Sequence, residues 1–240
     1  MTTNSISKEI NNKLNEKPIK DVINKLEIIS VKQSYFNHGY LVVKRFIDIL
    51  AGIIGCIIMI PISICLFFFN LFNNENGPIF YKQKRIGKNG QTFTMYKYRT
   101  MVVNADEILE DYLNSHEMEK EEYIIYRKLR NDPRITKLGA ILRKTSLDEW
   151  PQFINVLKGD MSLVGARPYL LKEKKYLKDD SAKILAFRPG LTGLWQVSGR
   201  SNLKFSDRIK IERTYVPSFR GDMKIIIATI RKVFKGDGAY

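Results

Sequence analysis

Apolar and polar residues change their spacing several times along this chain, and each change predicts a different element. Between residues 49 and 69 no charged side chain occurs. About 20 such residues suffice for a helix to cross the hydrocarbon core of a bilayer, and a plain span is the simplest reading. Pro61 falls inside the run. A proline removes one helix hydrogen bond and crowds the preceding turn, which predicts a break, with Ser63 placed to meet the freed backbone groups. Lys44 and Arg45 precede the run, and Lys82, Lys84 and Arg85 follow it. Lys and Arg favour the cytoplasmic side, so cations at both ends predict a helix–break–helix hairpin that enters and leaves on one face. Asp48 is placed to pair with Lys44 one turn away.

Downstream the spacing shifts to alternation. Gly77-Pro78 marks a turn, and residues 79–83 and 92–96 alternate on either side of Lys88-Asn89-Gly90, which predicts a hairpin. The second strand runs into Tyr96-Lys-Tyr-Arg99 and puts Lys97 and Arg99 on one side of an extended segment. Helical spacing then returns. It predicts a long helix over 104–130, capped by Asn104 with Glu107 and ended by Asn131-Asp-Pro133, and a short basic helix over 137–144. Further helices are predicted up to Lys158-Gly159, over 170–187, over 206–214, and from residue 222 onward, the last one basic and amphipathic. Residues 159–168 and 188–200 are rich in Gly and Pro and read as loops. Ahead of the hydrophobic run, Ile19, Val22, Ile23, Leu26 and Ile29 form an amphipathic helical pattern after Pro18.

These elements make the chain α+β and mostly helical. The expected plan is an N-terminal extension over residues 1–40, a re-entrant membrane helix over 41–73 broken at Pro61, and a compact domain over 74–240 on the cytoplasmic face, containing a small β-hairpin and ending in interfacial amphipathic helices.

Charge narrows the partners. The 240 residues carry a formal net charge of +15, which suits nucleic acid, an anionic membrane surface or phosphorylated small molecules. Acidic residues concentrate between 106 and 122, so the remainder is more basic still. Cys56 and Cys65 both lie in the hydrophobic run without zinc-ligand neighbours, and neither a disulfide framework nor a metal site follows from them. The only histidines, His38 and His116, stand in a polar linker and an acidic helix, which disfavours a His-dependent triad or zinc centre. No phosphate-binding glycine loop is present. The polar, mixed-charge start lacks the pattern of a cleaved signal peptide.

The chemistry-bearing stretch is Arg143-Lys-Thr-Ser-Leu-Asp-Glu-Trp-Pro151, with Asp148 and Glu149 adjacent. One reading is structural: Ser146 and Glu149 have the spacing of a capping box, with Trp150, Phe153, Ile154 and Leu157 as the buried face of the helix that follows. The other is catalytic. A carboxylate pair among arginines and lysines, beside a membrane-embedded element, suits phosphoryl transfer to a lipid phosphate.

Several long motifs stand in order: Asn131-Asp-Pro-Arg-Ile-Thr-Lys-Leu-Gly139, Leu142 through Gln152, Asn155 through Gly165, Arg167-Pro168, and Arg188-Pro-Gly-Leu-Thr-Gly-Leu-Trp-Gln-Val-Ser-Gly-Arg200. With Lys44-Arg45-x-x-Asp48, the Pro-interrupted helix and the closing Gly238-Ala-Tyr240, the chain from about residue 44 onward resembles the bacterial sugar transferases, monotopic polyprenyl-phosphate phosphoglycosyl transferases of the bacterial inner membrane. The resemblance implies transfer of a sugar 1-phosphate from a UDP-sugar to undecaprenyl phosphate, with no nucleic acid partner. Asp148 would be the nucleophile that takes the phosphosugar and releases UMP. Glu149 would assist proton handling or metal binding, and Mg²⁺ would sit at Asp148. By the same resemblance Lys97, Arg99 and Arg143 contact phosphates and Arg167 and Pro168 lie near the nucleotide, with Arg200 and Glu212 as further candidates. Where that family usually reads Gly-Pro-Arg-Pro, this chain has Gly165-Ala-Arg-Pro168, and Glu212 stands where Asp is common. Several larger relatives carry extra membrane spans ahead of the domain, and this chain is expected to be a minimal version.

A different class of reading is a non-catalytic, membrane-attached basic module that binds nucleic acid or anionic lipid. It accounts for the charge and the amphipathic helices but leaves the carboxylate pair unused.

Overall fold

One long apolar helix carries the rest of the fold on one of its faces. In the computed structural model, which describes residues 38–72, 77–177, 180–199 and 203–235, helix α1 (His38–Phe72) is 35 residues long, about 52 Å at 1.5 Å per residue. A stripe at helical spacing faces the domain: Tyr40, Lys44, Asp48, Gly52, Gly55, Met59, Ser63, Leu66 and Asn70. The opposite face exposes Phe46, Leu50, Ile53, Ile54, Ile57, Ile60, Ile64, Phe67 and Phe68 among other large apolar side chains, far more contiguous apolar surface than a soluble domain leaves uncovered.

The stripe is polar at one end and apolar at the other. Asp222 accepts from the Tyr40 hydroxyl and is paired with Lys44, while Asp48 accepts from the Ser162 hydroxyl at 3.0 Å and the Leu163 amide at 2.8 Å. The expected partner of Lys44, Asp48, is thus replaced by Asp222. Arg45 donates to the carbonyls of Val156 and Leu157 at 2.7 and 2.8 Å. At Gly55 a Cβ would lie 2.2 Å from the Phe153 ring, so only glycine admits that ring. The Trp150 indole donates to the Gly55 carbonyl at 2.9 Å.

The predicted break at Pro61 does not form; α1 runs through it. Hydrogen bonds are made on the helix ahead of the proline and across it. Trp150 binds the carbonyl of Gly55, and the Met59 carbonyl accepts from the Ser63 hydroxyl at 2.9 Å and from Tyr98 at 3.3 Å. Ser63 therefore meets the Met59 carbonyl, whereas the one Pro61 frees belongs to Ile57, four residues back.

The predicted hairpin forms as β1 (Phe80–Ile86) and β2 (Thr92–Tyr98), antiparallel with Phe80 opposite Tyr98 and Ile86 opposite Thr92. Its turn places Asn89 in the left-handed region at φ 55°, a conformation Asn tolerates better than most residues. Helices α2 (Ala105–Ser115) and α3 (Glu117–Tyr126) replace the single helix expected over 104–130. His116 is extended between them, stacked on Tyr112 at 4.2 Å with its Nδ1 against the Tyr112 carbonyl, and Asn104 makes no side-chain cap. Helix α4 (Lys137–Lys144) is capped by Thr136, which accepts from the Gly139 amide at 3.0 Å. Helix α5 (Gln152–Lys158) ends at Gly159 in the left-handed conformation, φ 89°, as a helix-terminating glycine does.

Beyond α5 the chain is more broken than its periodicity suggests. Strand β3 (Ser162–Val164) pairs in parallel with β5 (Gly190–Thr192), and β4 (Tyr169–Leu170) adds to β1 as a third strand. The helix expected over 170–187 gives way to a 3-10 turn and two one-turn helices, α6 (Lys174–Leu177) and α7 (Ser181–Ile184). The buried Glu173 carboxylate folds back onto the Leu170 amide at 2.7 Å and restarts the chain there. Helices α8 (Leu194–Ser198), α9 (Phe205–Glu212) and α10 (Phe219–Lys235) complete the described fold. The pattern at residues 19–29 and the closing Gly238-Ala-Tyr240 lie outside the described residues.

Candidate active site

Asp148 and Glu149 sit on a 3-10 turn (Leu147–Glu149) between α4 and α5. The turn is entered through Ser146 at φ 58°, and Ser146 makes no cap hydrogen bond. The capping box is therefore absent, and α5 starts only at Gln152. A non-glycine residue in the left-handed region costs on the order of 1 kcal/mol, held here by the packing of Leu147 and Trp150 with Tyr98 and Leu142. Strain of this kind gathers at functional sites.

The geometry joins three elements. Lys97, near the end of β2, places its ammonium 2.8 Å from Glu149 Oε1 and 3.7 Å from Asp148 Oδ2. Arg143, in the last turn of α4, donates to the Thr100 hydroxyl at 3.0 Å and lies within electrostatic reach of both carboxylates. Gly139 lets this happen, since a Cβ there would stand 2.0 Å from the Thr100 carbonyl. Burial pushes the Asp148 carboxyl above its usual range; Lys97 and Arg143 pull it down and Glu149 pushes it up. Among the described residues, Asp148 is thus buried beside cations without being tied to any of them at hydrogen-bond distance.

A third cation, Lys128, escapes sequence reasoning. It follows α3 in the loop to α4, where burial and repulsion from Arg143 and Arg208 lower its amine to about 8, opposed by Asp148. Its only signal in the sequence is a place in the basic run Arg127-Lys-Leu-Arg130 just ahead of Asn131-Asp-Pro133. Cations outnumber carboxylates around Asp148, and a poorly solvated excess of positive charge attracts an anion.

The remaining candidates fall elsewhere. Strand β2 ends at Tyr98, so Arg99 leaves the alternation and donates from Nε to the Pro78 carbonyl at 2.8 Å. Arg167 and Pro168 form a second group. The Arg167 amide donates to Glu212 at 2.9 Å, its guanidinium lies 5.7 Å from the Trp195 ring centroid and 3.8 Å from Glu173, and the Pro168 carbonyl accepts from Arg85 at 3.0 Å. Glu212 is fully buried, and burial raises its carboxyl to about 8 against the pull of the Arg167 and Trp195 amides. Arg208, also missed in the sequence, lies 5.1 Å from the Trp195 ring and binds the carbonyls of Leu203 and Tyr126, bracing α9 against α8 and α3. Arg200 lies outside the described residues.

Among the described residues no group of three or more His, Cys, Asp or Glu is arranged to hold a metal ion. Mg²⁺ commonly needs only one or two carboxylates when waters and substrate phosphates complete its shell, and the Asp148–Glu149 pair fits that smaller role.

Comparison with known proteins gives the chain a family. The family model described as bacterial sugar transferase matches residues 39–236. The chain is 41% identical over 215 residues to the galactosyl transferase CpsE of Streptococcus agalactiae, covering 88% of this chain and 46% of that one. It is 42% identical over 199 residues to the undecaprenyl-phosphate galactose phosphotransferase of Salmonella typhimurium, covering 82% and 41%. The exopolysaccharide production protein ExoY of Sinorhizobium fredii is 41% identical over 200 residues, covering 82% and 88%. The chain thus spans less than half the length of the first two and nearly all of the third.

Proposed function

The chain belongs to the bacterial sugar transferase family, and from that premise we propose that it transfers a sugar 1-phosphate from a UDP-sugar to undecaprenyl phosphate at a membrane surface, the opening step of polysaccharide or glycoconjugate assembly. The observation that carries this reading is Asp148, buried within a cluster formed by Lys97, Lys128 and Arg143.

In the first step an Asp148 carboxylate oxygen attacks the sugar-bearing phosphorus, the bond from that phosphorus to the bridging oxygen breaks, and UMP leaves with the bond electrons. Lys97 and Arg143 hold the phosphate oxygens while charge moves to the leaving group. In the second step a phosphate oxygen of undecaprenyl phosphate attacks the same phosphorus and returns Asp148 as carboxylate, giving a lipid diphosphate sugar. Glu149 keeps Lys97 engaged beside the nucleophile and takes part in proton handling. Mg²⁺ held by Asp148 and Glu149 would supply further neutralisation of the diphosphate. Arg167 and Pro168 are assigned to the nucleotide end.

The arrangement of α1 supports a monotopic enzyme. A helix attached to a polar domain along its whole length cannot stand across a bilayer without dragging that domain into the hydrocarbon core, which is about 30 Å thick. Lying with its apolar face in one leaflet, α1 keeps the domain on the cytoplasmic face where UDP-sugars are found, and the basic α10 beside it meets anionic headgroups.

The test is UMP release from a panel of UDP-sugars with undecaprenyl phosphate, comparing wild type with Asp148→Asn. Release with one or more sugars, abolished by the substitution, is the expected result. Normal turnover by Asp148→Asn would end the covalent mechanism, and no release with any sugar would favour a binding module. For the topology, tags on Met1 and Tyr240 should both be cleaved by protease from the cytoplasmic side.

A further inference from the structure

Buried polar atoms without partners are few in a folded protein, and each calls for an explanation. Among the described residues six side-chain nitrogen or oxygen atoms are buried and unpaired: Arg85 Nε, Arg127 Nε, Tyr169 Oη, Trp195 Nε1, Gln196 Oε1 and Glu212 Oε1. Five of the six surround the Arg167–Pro168 loop. Arg85 binds the Pro168 carbonyl, Tyr169 follows it in sequence, Glu212 binds the Arg167 amide, and Arg167 lies over Trp195, whose neighbour is Gln196. Tyr169 and Glu212 are each only 1% exposed.

We propose that Tyr169, Trp195, Gln196 and Glu212 form a subsite for a hydroxylated ring of the donor substrate, either the ribose of the nucleotide or the transferred sugar. The inference rests on the donor-substrate reading above and says which side chains read that donor. The unmet groups alternate in kind: an indole N–H donates, an amide oxygen accepts, and the Tyr169 hydroxyl does both. Sugar hydroxyls also do both, so adjacent hydroxyls on one ring meet such a set. A phosphate, which only accepts, would be turned away by the Gln196 oxygen. Burial keeps Glu212 largely neutral below a pKa of about 8, again unlike an ion site. The location fits a ring joined to a phosphate, because Arg208 lies against Trp195 and also within electrostatic reach of Lys128, which is in turn within electrostatic reach of Asp148.

An orphaned hydroxyl gives this subsite an unusual signature. Removing a buried group that has no partner in the free protein relieves a desolvation cost, so Tyr169→Phe should melt at the same temperature as wild type or higher. If the hydroxyl serves the donor, the same variant should bind it about tenfold more weakly, the loss of one buried hydrogen bond. The experiment measures the Tm of the free full-length proteins and their affinity for UMP, UDP and UDP-galactose. Equal weakening for all three probes identifies the ribose, and weakening for UDP-galactose alone identifies the transferred sugar. Trp195→Phe is the second variant, removing the unpaired indole N–H while keeping an aromatic ring beside Arg167 and Arg208; it should weaken the same probes. Unchanged affinities in both variants overturn the subsite and leave ordered water as the partner. A lower Tm for Tyr169→Phe, with Trp195→Phe binding as wild type, also overturns it, by showing that the hydroxyl is satisfied within the protein. Should wild type bind none of the probes, the donor reading itself falls and the subsite with it.

Discussion

Two regions of this molecule bury aspartates, and they treat them in opposite ways. Along the α1 seam, Asp222 receives hydrogen bonds from the Tyr40 and Tyr215 hydroxyls and an ion pair from Lys44, and Asp48 receives the Ser162 hydroxyl and the Leu163 amide. On the Leu147–Glu149 turn, Asp148 has an ammonium at 3.7 Å as its nearest cation among the described residues. A buried charge whose lone pairs are all engaged is fixed and inert. One held near cations but not saturated by them is costly in the free protein and ready to react. The number of engaged lone pairs, more than burial, separates the carboxylates that hold the helix from the one proposed to do chemistry.

This contrast can be broken by matched substitutions. Asp148→Asn should lower UMP release by roughly 10⁴-fold or more while leaving the melting temperature near wild type, measured on the same preparation. Asp222→Asn should do the reverse: removing one partner of a buried ion pair costs about 3 kcal/mol, read as a lower Tm, with activity per folded molecule largely kept. If both variants lost only activity, or both lost only stability, the division between seam and site would be wrong.

Next in size is Gly55. Ala in place of Gly inside a helix normally gains close to 1 kcal/mol, but a Cβ at Gly55 meets the Phe153 ring, and overpacking of this kind costs about 1–3 kcal/mol. Gly55→Ala should therefore melt lower than wild type, the opposite sign to propensity.

A smaller effect follows from Glu212. Its carboxyl is raised from 4.5 to about 8 in the folded protein, so between those values the folded state holds a proton that the unfolded state has released. Stability then falls as pH rises through that window, by on the order of 1 kcal/mol per unit. Melting curves taken from pH 5 to 8 should show this slope, and Glu212→Gln should flatten it.

The smallest effect is on the pH profile of kcat/KM. Burial raises Asp148, so the acidic limb should lie above the ordinary carboxylate range near 3.8. Lys97→Met removes a favourable charge and should move that limb to higher pH. Glu149→Gln removes a repulsive one and should move it lower.

Much of this was legible in the chain, and the rest was not for identifiable reasons. The hairpin around Asn89 and the stop at Gly159 follow from local backbone preferences that act over a few residues. Asp148 and Glu149 could be picked out by residue type, Lys97 and Arg143 by the family resemblance, and the fold gathers all four. Lys128 and Arg208 could not, because their relation to Asp148 and Trp195 depends on how α3 and α9 pack, which no local pattern encodes. Ser146 and Glu149 had the spacing of a cap, but tertiary packing set Ser146 to a positive φ. The three-residue strands β3 and β5 are too short to show a period. At Pro61 the local rule predicted a break, and side chains from the domain, Trp150 and Tyr98, outweighed it.

The stripe on α1 also bears on how separable the parts of this protein are. A hydrophobic anchor is often treated as a tether that can be cut away to leave a soluble enzyme. Here the helix is one wall of the domain, covering Tyr98, Leu142, Trp150, Phe153 and Leu157 and filling the hydrogen-bonding needs of Asp222. A chain trimmed to residues 77–240 would bare that wall to water and should be recovered as aggregate, whereas wild type in detergent stays monodisperse. The membrane helix and the chemistry would then be inherited as one unit, and exchange of anchors between relatives would have to carry the facing residues with it.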